Sequence, residues 1–175
     1  MKMSETGSIL SQDFNQILQQ YSGLLGRVAA SYEANHHLRQ ELLQEISLAV
    51  WQSLATFKGD SSLLTYILRV AHNKAVSHVA YHAKYPRNDS YCEITHASES
   101  QTLNSESHMQ QQQQINTLLD EVRKLPIQTR QIVTLSMEGL SYQDIAEVCG
   151  IQLSNVGVIL NRSKKVIMEA MAHVR

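Results

Sequence analysis

Apolar residues recur at intervals of three and four along most of the chain, and this spacing most restricts the folds open to it. In the first such stretch the apolar positions are Phe14, Ile17, Leu18, Tyr21, Leu24, Leu25, Val28, Ala29 and Tyr32. This is the period of an amphipathic helix, whereas a half-buried strand would alternate apolar and polar residues. We find no sustained alternation of that kind, and the sequence therefore predicts an all-α fold.

Two more helices are predicted before Pro86. The second runs from Leu38 to Leu54, and the polar, glycine-containing segment 58–62 interrupts its period. Ser61 or Ser62 can then cap a third helix over about 63–85, which is apolar around most of its circumference and is expected to be central. Proline disfavours a helical conformation in the residue before it, so Pro86 should end this helix.

The composition of the chain changes after residue 87. Residues 88–117 hold four acidic groups and no basic one, and the stretch from Arg87 is rich in Ser, Asn, Glu and Gln. Such composition cannot repay the entropy of ordering, which predicts a flexible acidic linker over 88–114. The run Gln110 to Gln114 also fits the next helix, because a helical stripe continues from it. The chain is thus divided into two small helical domains, 10–87 and 115–175.

The second domain contains a helix-turn-helix pattern over 142–161. Ser141 and Asp144 make a capping-box-like start, Ala146 allows two helices to cross closely, Gly150 permits the turn, and Val156 buries the front of the next helix. A chance helical hairpin is the alternative. The spacing is typical of the unit that places one helix in the major groove of DNA.

The overall charge limits how such a unit can act. Fifteen Lys and Arg against sixteen Asp and Glu give a formal charge of −1, which argues against a free-standing, high-affinity duplex binder.

No apolar run approaches the roughly 18 residues that span a bilayer, and the N-terminus has no signal pattern, so we expect a cytoplasmic protein without membrane insertion. Cys92 and Cys149 lack metal or redox spacing and are interpreted as incidental thiols.

Two separated blocks resemble one family, the extracytoplasmic-function class of bacterial sigma-70 factors, which are the promoter-reading subunits of RNA polymerase. "LRQELLQEISLAVWQSLATFKGDSSLLTYILRVAHNKAVSHV" is similar to region 2, and "LPIQTRQIVTLSMEGLSYQDIAEVCGIQLSNVGVILNRSKKVI" is similar to region 4. The resemblance implies binding to core RNA polymerase and promoter DNA, control by an anti-sigma factor, and no catalysis or cofactor. It also explains the low charge, because the polymerase supplies much of the DNA attachment.

Within region 2, residues 41–45 match the family segment that binds a coiled coil of the largest polymerase subunit. The resemblance implies that contact with core polymerase is made by Glu41, Leu42, Gln44, Glu45 and Leu48. The spacing places all of these except Leu42 on one helix face, which suits a basic partner helix. An ordinary solvated charged face is the alternative.

The segment 57–62 matches the family loop that captures an unstacked base at the −10 element. The resemblance implies −10 contacts by Lys58, Gly59, Asp60, Ser61 and Ser62 in the loop, and by Tyr66, Arg69, His72, Asn73 and Ser77 on the following helix. Glycine lets the backbone approach a base, and aromatic and basic groups favour a separated strand. A simple helix terminator, and a core position for Tyr66, remain as alternatives.

The second helix of the helix-turn-helix is expected to read the −35 element. The residues that project away from its apolar stripe are Ser154, Asn155, Gly157, Val158, Asn161, Arg162 and Lys165. The chain departs from the family pattern at Ile159, where Arg is frequent, and at Gln152, which replaces the usual Ser cap.

Two other functions compete with this interpretation. A conventional helix-turn-helix regulator would bind its own operator as a dimer, using the N-terminal helices for dimerisation or effector binding. The other competing function is an enzyme with a histidine metal site. His78 and His82 lie four residues apart, a spacing that can hold zinc, but the Glu that a zinc hydrolase needs beside the first His is missing. We therefore predict no metal site, no cofactor and no catalytic residues.

Overall fold

The computed structural model describes residues 3–85 and 106–172, with side chains described over 15–85 and 109–172. Every regular element in these ranges is helical, as the sequence predicts. The helices are α1 Met3–Tyr32, α2 His36–Leu54, α3 Leu63–Lys84, α4 Glu106–Lys124, α5 Ile127–Met137, α6 Tyr142–Cys149 and α7 Leu153–Ala172. None of them is long and apolar enough to cross a membrane.

Helices α1 to α3 form the first domain. Their apolar stripes meet in one core, whose fully buried side chains include Leu25, Leu42, Ile46, Ile67 and Leu68. Side-chain caps set where the second and third helices begin: the Asn35 side chain accepts from the Leu38 amide and Ser62 Oγ from the Thr65 amide. Of the two serines that could cap α3, Ser62 does so.

Helices α4 to α7 form the second domain. Helix α4 begins at Glu106, so residues 106–109, which the sequence analysis assigned to the linker, are helical. The Gln110–Gln114 run, for which the sequence left both the linker and the next helix open, belongs to the helix. Residues 88–105 of the predicted linker lie outside the described residues. Arg130 Nη2 donates to the carbonyls of Arg123 and Leu125, which secures the α4–α5 corner.

The helix-turn-helix is formed by α6 and α7. Ser141 caps α6 by accepting from the Asp144 amide at 3.1 Å, and Gly150 ends it in the left-handed conformation with φ 64°. Ile145 from α6 and Val156 from α7 are fully buried where the two helices cross. The predicted motif is therefore present.

The two domains pack against each other. Buried residues of the second domain, among them Ile132, Leu135 and Ile145, form a continuous apolar cluster with residues of α1 to α3. Helices α5 and α6 contact α3, and α4 and α5 contact α1. The sequence analysis predicted two modules on a tether; it did not predict this packing, which we call the closed arrangement.

Candidate nucleic-acid and protein interfaces

One face of α2 is exposed, and we call it the α2 face. Gln44, Glu45 and Leu48 are exposed on it, while Glu41 is half-buried. Trp51, three residues beyond Leu48, is 51% exposed and extends the same face. The sequence analysis did not select Trp51, although its spacing from Leu48 is a signal that would have included it.

Leu42 does not belong to this face. It is fully buried among α1 to α3, because its helical position points opposite to Gln44 and into the core. A direct contact between Leu42 and a partner protein is therefore incompatible with the structure. On the α2 face, Glu45 forms an ion pair with Lys74 at 3.4 Å, and a Glu41 carboxylate oxygen lies 3.4 Å from His37 Nε2.

The loop between α2 and α3 is largely exposed and turns at a glycine. Gly59 has φ 82°, a conformation that side-chain-bearing residues rarely adopt. Lys58, Gly59, Asp60 and Ser62 are exposed and Ser61 is half-buried. A shallow cleft of about 120 Å³ opens beside the loop; its lining includes Phe57, Lys58, Asp60, Ser61, Tyr66, Arg69 and Glu147. Ser62 is also engaged in capping α3.

On α3 the structure divides the predicted strand-binding residues. Tyr66 is half-buried, since its hydroxyl donates to the Ser53 carbonyl at 2.9 Å and its ring centroid lies 4.7 Å from that of Phe57. Asn73 and Ser77 are exposed. Arg69 donates to Glu147 of the second domain at 3.0 Å. The face that would meet a DNA strand is thus partly engaged with the protein itself.

His72 was expected on this face but lies in the core. It is fully buried, and its Nδ1 is hydrogen-bonded to the Tyr32 hydroxyl at 2.9 Å. Burial lowers the pKa of His72 to about 3, because desolvation disfavours the imidazolium. A direct contact between His72 and DNA is incompatible with this position.

The outer face of α7 is open. Ser154, Asn155, Val158, Asn161, Arg162 and Lys165 are all exposed. Gly157 is half-buried, and an added Cβ there would lie 3.6 Å from the Tyr142 ring. The helix begins with a backbone bond from the Asn155 amide to the Gln152 carbonyl. Small, polar and basic groups on one exposed face can approach a groove.

The predicted absence of a metal site concerns His78 and His82. Their ring centroids lie 4.3 Å apart, and buried His78 Nε2 is 3.4 Å from Glu33 Oε2. Among the residues that the structure describes, no group of three or more His, Cys, Asp or Glu side chains is arranged to hold a metal ion. Burial raises the pKa of Cys149 to about 11, which disfavours the reactive thiolate.

Comparisons with known proteins identify both domains. Residues 17–85 match the family model for sigma-70 region 2, and residues 115–167 match that for sigma-70 region 4. A Haemophilus influenzae protein named ECF RNA polymerase sigma-E factor is 24% identical, over 88% of this chain and 85% of its own. The Bacillus subtilis RNA polymerase sigma factor YlaC is 28% identical, over 82% of this chain and 84% of its own.

Solved structures share the fold over nearly the whole chain. The Bartonella quintana sigma factor RpoE, solved with the anti-sigma factor NepR, matches with a TM-score of 0.69 at 19% identity, covering 94% of this chain and 99% of that one. CnrH, solved with the cytosolic domain of CnrY, matches with a TM-score of 0.65 at 15% identity, covering 93% and 90%. Two sigma-70 domains in this order, together with relatives named as sigma factors of this kind, show that the chain belongs to the extracytoplasmic-function class of the sigma-70 family, whose members direct transcription initiation.

Proposed function

We propose that this sigma factor joins core RNA polymerase through the α2 face, binds the separated −10 strand with the α2–α3 loop and α3, and reads the −35 element with α7. The observation that carries the proposal is the exposure of the α2 face, of most of the α2–α3 loop and of the outer face of α7. The family match supports it, since the first two surfaces lie within the region 2 match and the third lies within the region 4 match.

The α2 face has the composition of a protein interface. Leu48 and Trp51 are large apolar side chains left about half exposed, and Gln44 and Glu45 lie beside them. Interfaces commonly place an aromatic or aliphatic anchor at the centre and polar groups around it. Acidic and amide side chains around Trp51 favour a basic polymerase segment as the partner.

The DNA-facing groups suit a factor that acts within a larger complex. Asn73, Ser77 and the loop residues Lys58 to Ser61 offer hydrogen bonds to an unpaired base and its phosphates. Among the predicted −35 residues of α7, two are cations, Arg162 and Lys165. With a formal charge of −1, the chain has too little positive charge for tight duplex binding alone. We propose that it acts in the cytoplasm, without covalent chemistry, as a polymerase subunit.

An anti-sigma factor is the remaining proposed partner. Both solved relatives named above were captured with another protein, and one of them is by name a sigma factor with an anti-sigma factor. The likeness covers both domains of this chain. A partner that clamps the two domains together would cover the α2 face or the −10 loop and thereby prevent initiation.

The proposed function is tested by transcription with core polymerase on a library of random-sequence DNA templates, followed by sequencing of the transcript 5′ ends. The wild-type chain is expected to select start sites that share two upstream elements. Gln44→Ala combined with Glu45→Ala should lower affinity for core polymerase about tenfold and reduce these transcripts in proportion, because it removes two polar contacts of the α2 face.

The matched control is Gln111→Ala combined with Asp120→Ala, which likewise removes one amide and one carboxylate, at exposed positions of α4. This control should transcribe like wild type. Equal loss in both variants, or none in either, would remove the α2 face from the proposal. Binding of duplex by the isolated chain as a dimer, unaffected by polymerase, would instead support the stand-alone regulator.

A further inference from the structure

The C-terminal end of α3 carries an exposed group of rings that none of the functions above uses. Tyr81 is 60% exposed and Tyr85 is 54% exposed, and their ring centroids lie 5.2 Å apart. The rings of His82 and Tyr81 meet edge to face at 5.4 Å, and Lys84 Nζ lies 5.5 Å from the centre of the Tyr85 ring. We call these four residues the aromatic end of α3.

The two tyrosine rings are not part of the core. At this end of the helix the side that faces the core carries Ala75 and His78, which are buried, and Tyr81 and Tyr85 lie outside that side. Apolar surface left in water is stabilised by about 25 cal/mol per Å² when a partner covers it. A flat apolar partner would therefore gain from stacking on these rings.

The charge of α3 favours an anionic partner at this end. Over its 22 residues the helix contains no Asp or Glu, whereas it carries the permanent cations Arg69, Lys74 and Lys84. Proteins that bind single-stranded nucleic acid combine an aromatic ring, on which a base stacks, with a cation that contacts the backbone. Tyr85 and Lys84 supply that combination side by side.

The aromatic end continues the surface proposed to bind the −10 strand. Asn73, Ser77, Tyr81 and Tyr85 recur every four residues, so they follow one side of α3, and all four are exposed. With a rise of 1.5 Å per residue, Tyr81 lies about 28 Å along the helix from Ser62 in the α2–α3 loop. A strand that is held at the loop and follows α3 therefore reaches the two rings.

We propose that the aromatic end is a stacking site for an unpaired base of the separated promoter strand, at the opposite end of α3 from the α2–α3 loop, with Lys84 in contact with the adjacent phosphate. This inference rests on the proposed function of the loop and α3. A base between two rings needs about twice the 3.4 Å separation of stacked bases. Because the centroids of Tyr81 and Tyr85 are only 5.2 Å apart, the base stacks on the open side of the pair. Stacking tolerates any base, so the site holds the strand without adding sequence preference.

The stacking site is tested first with the isolated full-length chain and a fluorescein-labelled, random-sequence single-stranded DNA 12-mer at low salt. A second 12-mer has the same phosphates but abasic sugars. Tyr81→Leu combined with Tyr85→Leu should weaken binding of the normal strand at least about fivefold, the lower end of the range for loss of one stacked base. The same variant should bind the abasic strand like wild type.

The matched control is Tyr81→Phe combined with Tyr85→Phe, which keeps both rings and should bind both strands like wild type. Leucine preserves the net charge and an apolar side chain, so the flat ring is what separates the two variants. Lys84→Ala should weaken both strands and lower the slope of log affinity against log salt by about 0.7. The proposal would be overturned by equal binding of the leucine and phenylalanine variants, by equal loss on the normal and abasic strands, or by a wild type that does not distinguish the strands.

A second measurement asks whether the stacked base belongs to the promoter. Core polymerase carrying wild type or the leucine variant is bound to a start site selected in the transcription assay and made with a separated segment. A single abasic nucleotide is placed at successive positions of that segment. Wild type should lose about fivefold in affinity at one position where the leucine variant loses none; the absence of such a position would refute the assignment to the promoter strand. The first measurement uses no polymerase and leaves the α2 face intact, so failure of the stacking site and failure of the proposed function are separate results.

Discussion

At the scale of single residues, His72 shows where a sequence pattern stops being informative. Helix α3 is apolar around most of its circumference, so its polar residues are natural candidates for the exposed face. The partner that holds His72 in the core is the Tyr32 hydroxyl, 40 residues earlier in the chain. No local pattern predicts that pairing, and the same holds for Leu42, which shares its helix with the exposed α2 face.

The burial of His72 makes the stability of the protein sensitive to acid. Its pKa is lowered to about 3 in the folded state, against about 6.5 in an unfolded chain. Above pH 6.5 both states hold a neutral ring, so stability is complete. Below pH 6.5 the unfolded state binds a proton that the folded state refuses, and stability falls until about pH 3. Between pH 6.5 and pH 5 we expect a loss of roughly 2 kcal/mol.

Urea unfolding of wild type and His72→Gln at a series of pH values measures this loss. The variant should have a lower free energy of unfolding than wild type at pH 7. Because residue 72 no longer takes up a proton in the variant, the free energies of unfolding of the two proteins should converge as the pH falls. All other ionisable groups are the same in both proteins, so their contributions cancel in the difference. Parallel curves from pH 7 to pH 5 would contradict the assignment.

At the scale of helices, the sequence predicted correctly those helix ends that are fixed by a capping residue next to them in the chain. Ser62, Ser141 and Gly150 each act as the sequence indicates, two as N-caps and one as a left-handed C-cap. Helix α4 begins four residues before the Gln110–Gln114 run at which the sequence allowed it to start, and Glu106 to Gln114 carry few large apolar groups. Their polar composition resembles a linker, yet they extend a helix whose apolar stripe begins at Ile115, and helices propagate more readily than they begin.

The two glycines Gly150 and Gly26 should respond to alanine in opposite directions. Gly150 has φ 64°, so Gly150→Ala is expected to cost roughly 1 to 2 kcal/mol through left-handed strain. Gly26 lies within α1, and nothing outside the helix is within 4 Å of an added Cβ. Gly26→Ala should therefore gain roughly 0.5 to 1 kcal/mol. Urea titration measures both changes, and a loss at Gly26 equal to that at Gly150 would show that backbone conformation is not the cause.

At the scale of the whole molecule, the sequence predicted the two domains but not their contact. The pairs that join them are separated by 111 residues for Arg27 and Glu138 and by 78 for Arg69 and Glu147. Periodicity reports which face of a helix is buried, not which helix covers it. The exposed face of α7 was predictable because it follows from the local spacing of apolar residues alone.

The distribution of charge gives a final prediction for the whole chain. Arg162 and Lys165 are the cations of the proposed −35 face, and both are exposed in the closed arrangement. Each phosphate contact contributes close to one unit to the slope of log affinity against log salt. Replacing both by alanine should therefore lower that slope by about two for a random-sequence 30-base-pair duplex between roughly 25 and 150 mM salt. Lys124→Ala removes a cation that is paired with Glu121 on α4 and should leave the slope unchanged. A slope that falls by about one in Lys124→Ala, in proportion to its loss of one charge against two, would mean that duplex DNA follows the overall charge of the chain, and not the face of α7.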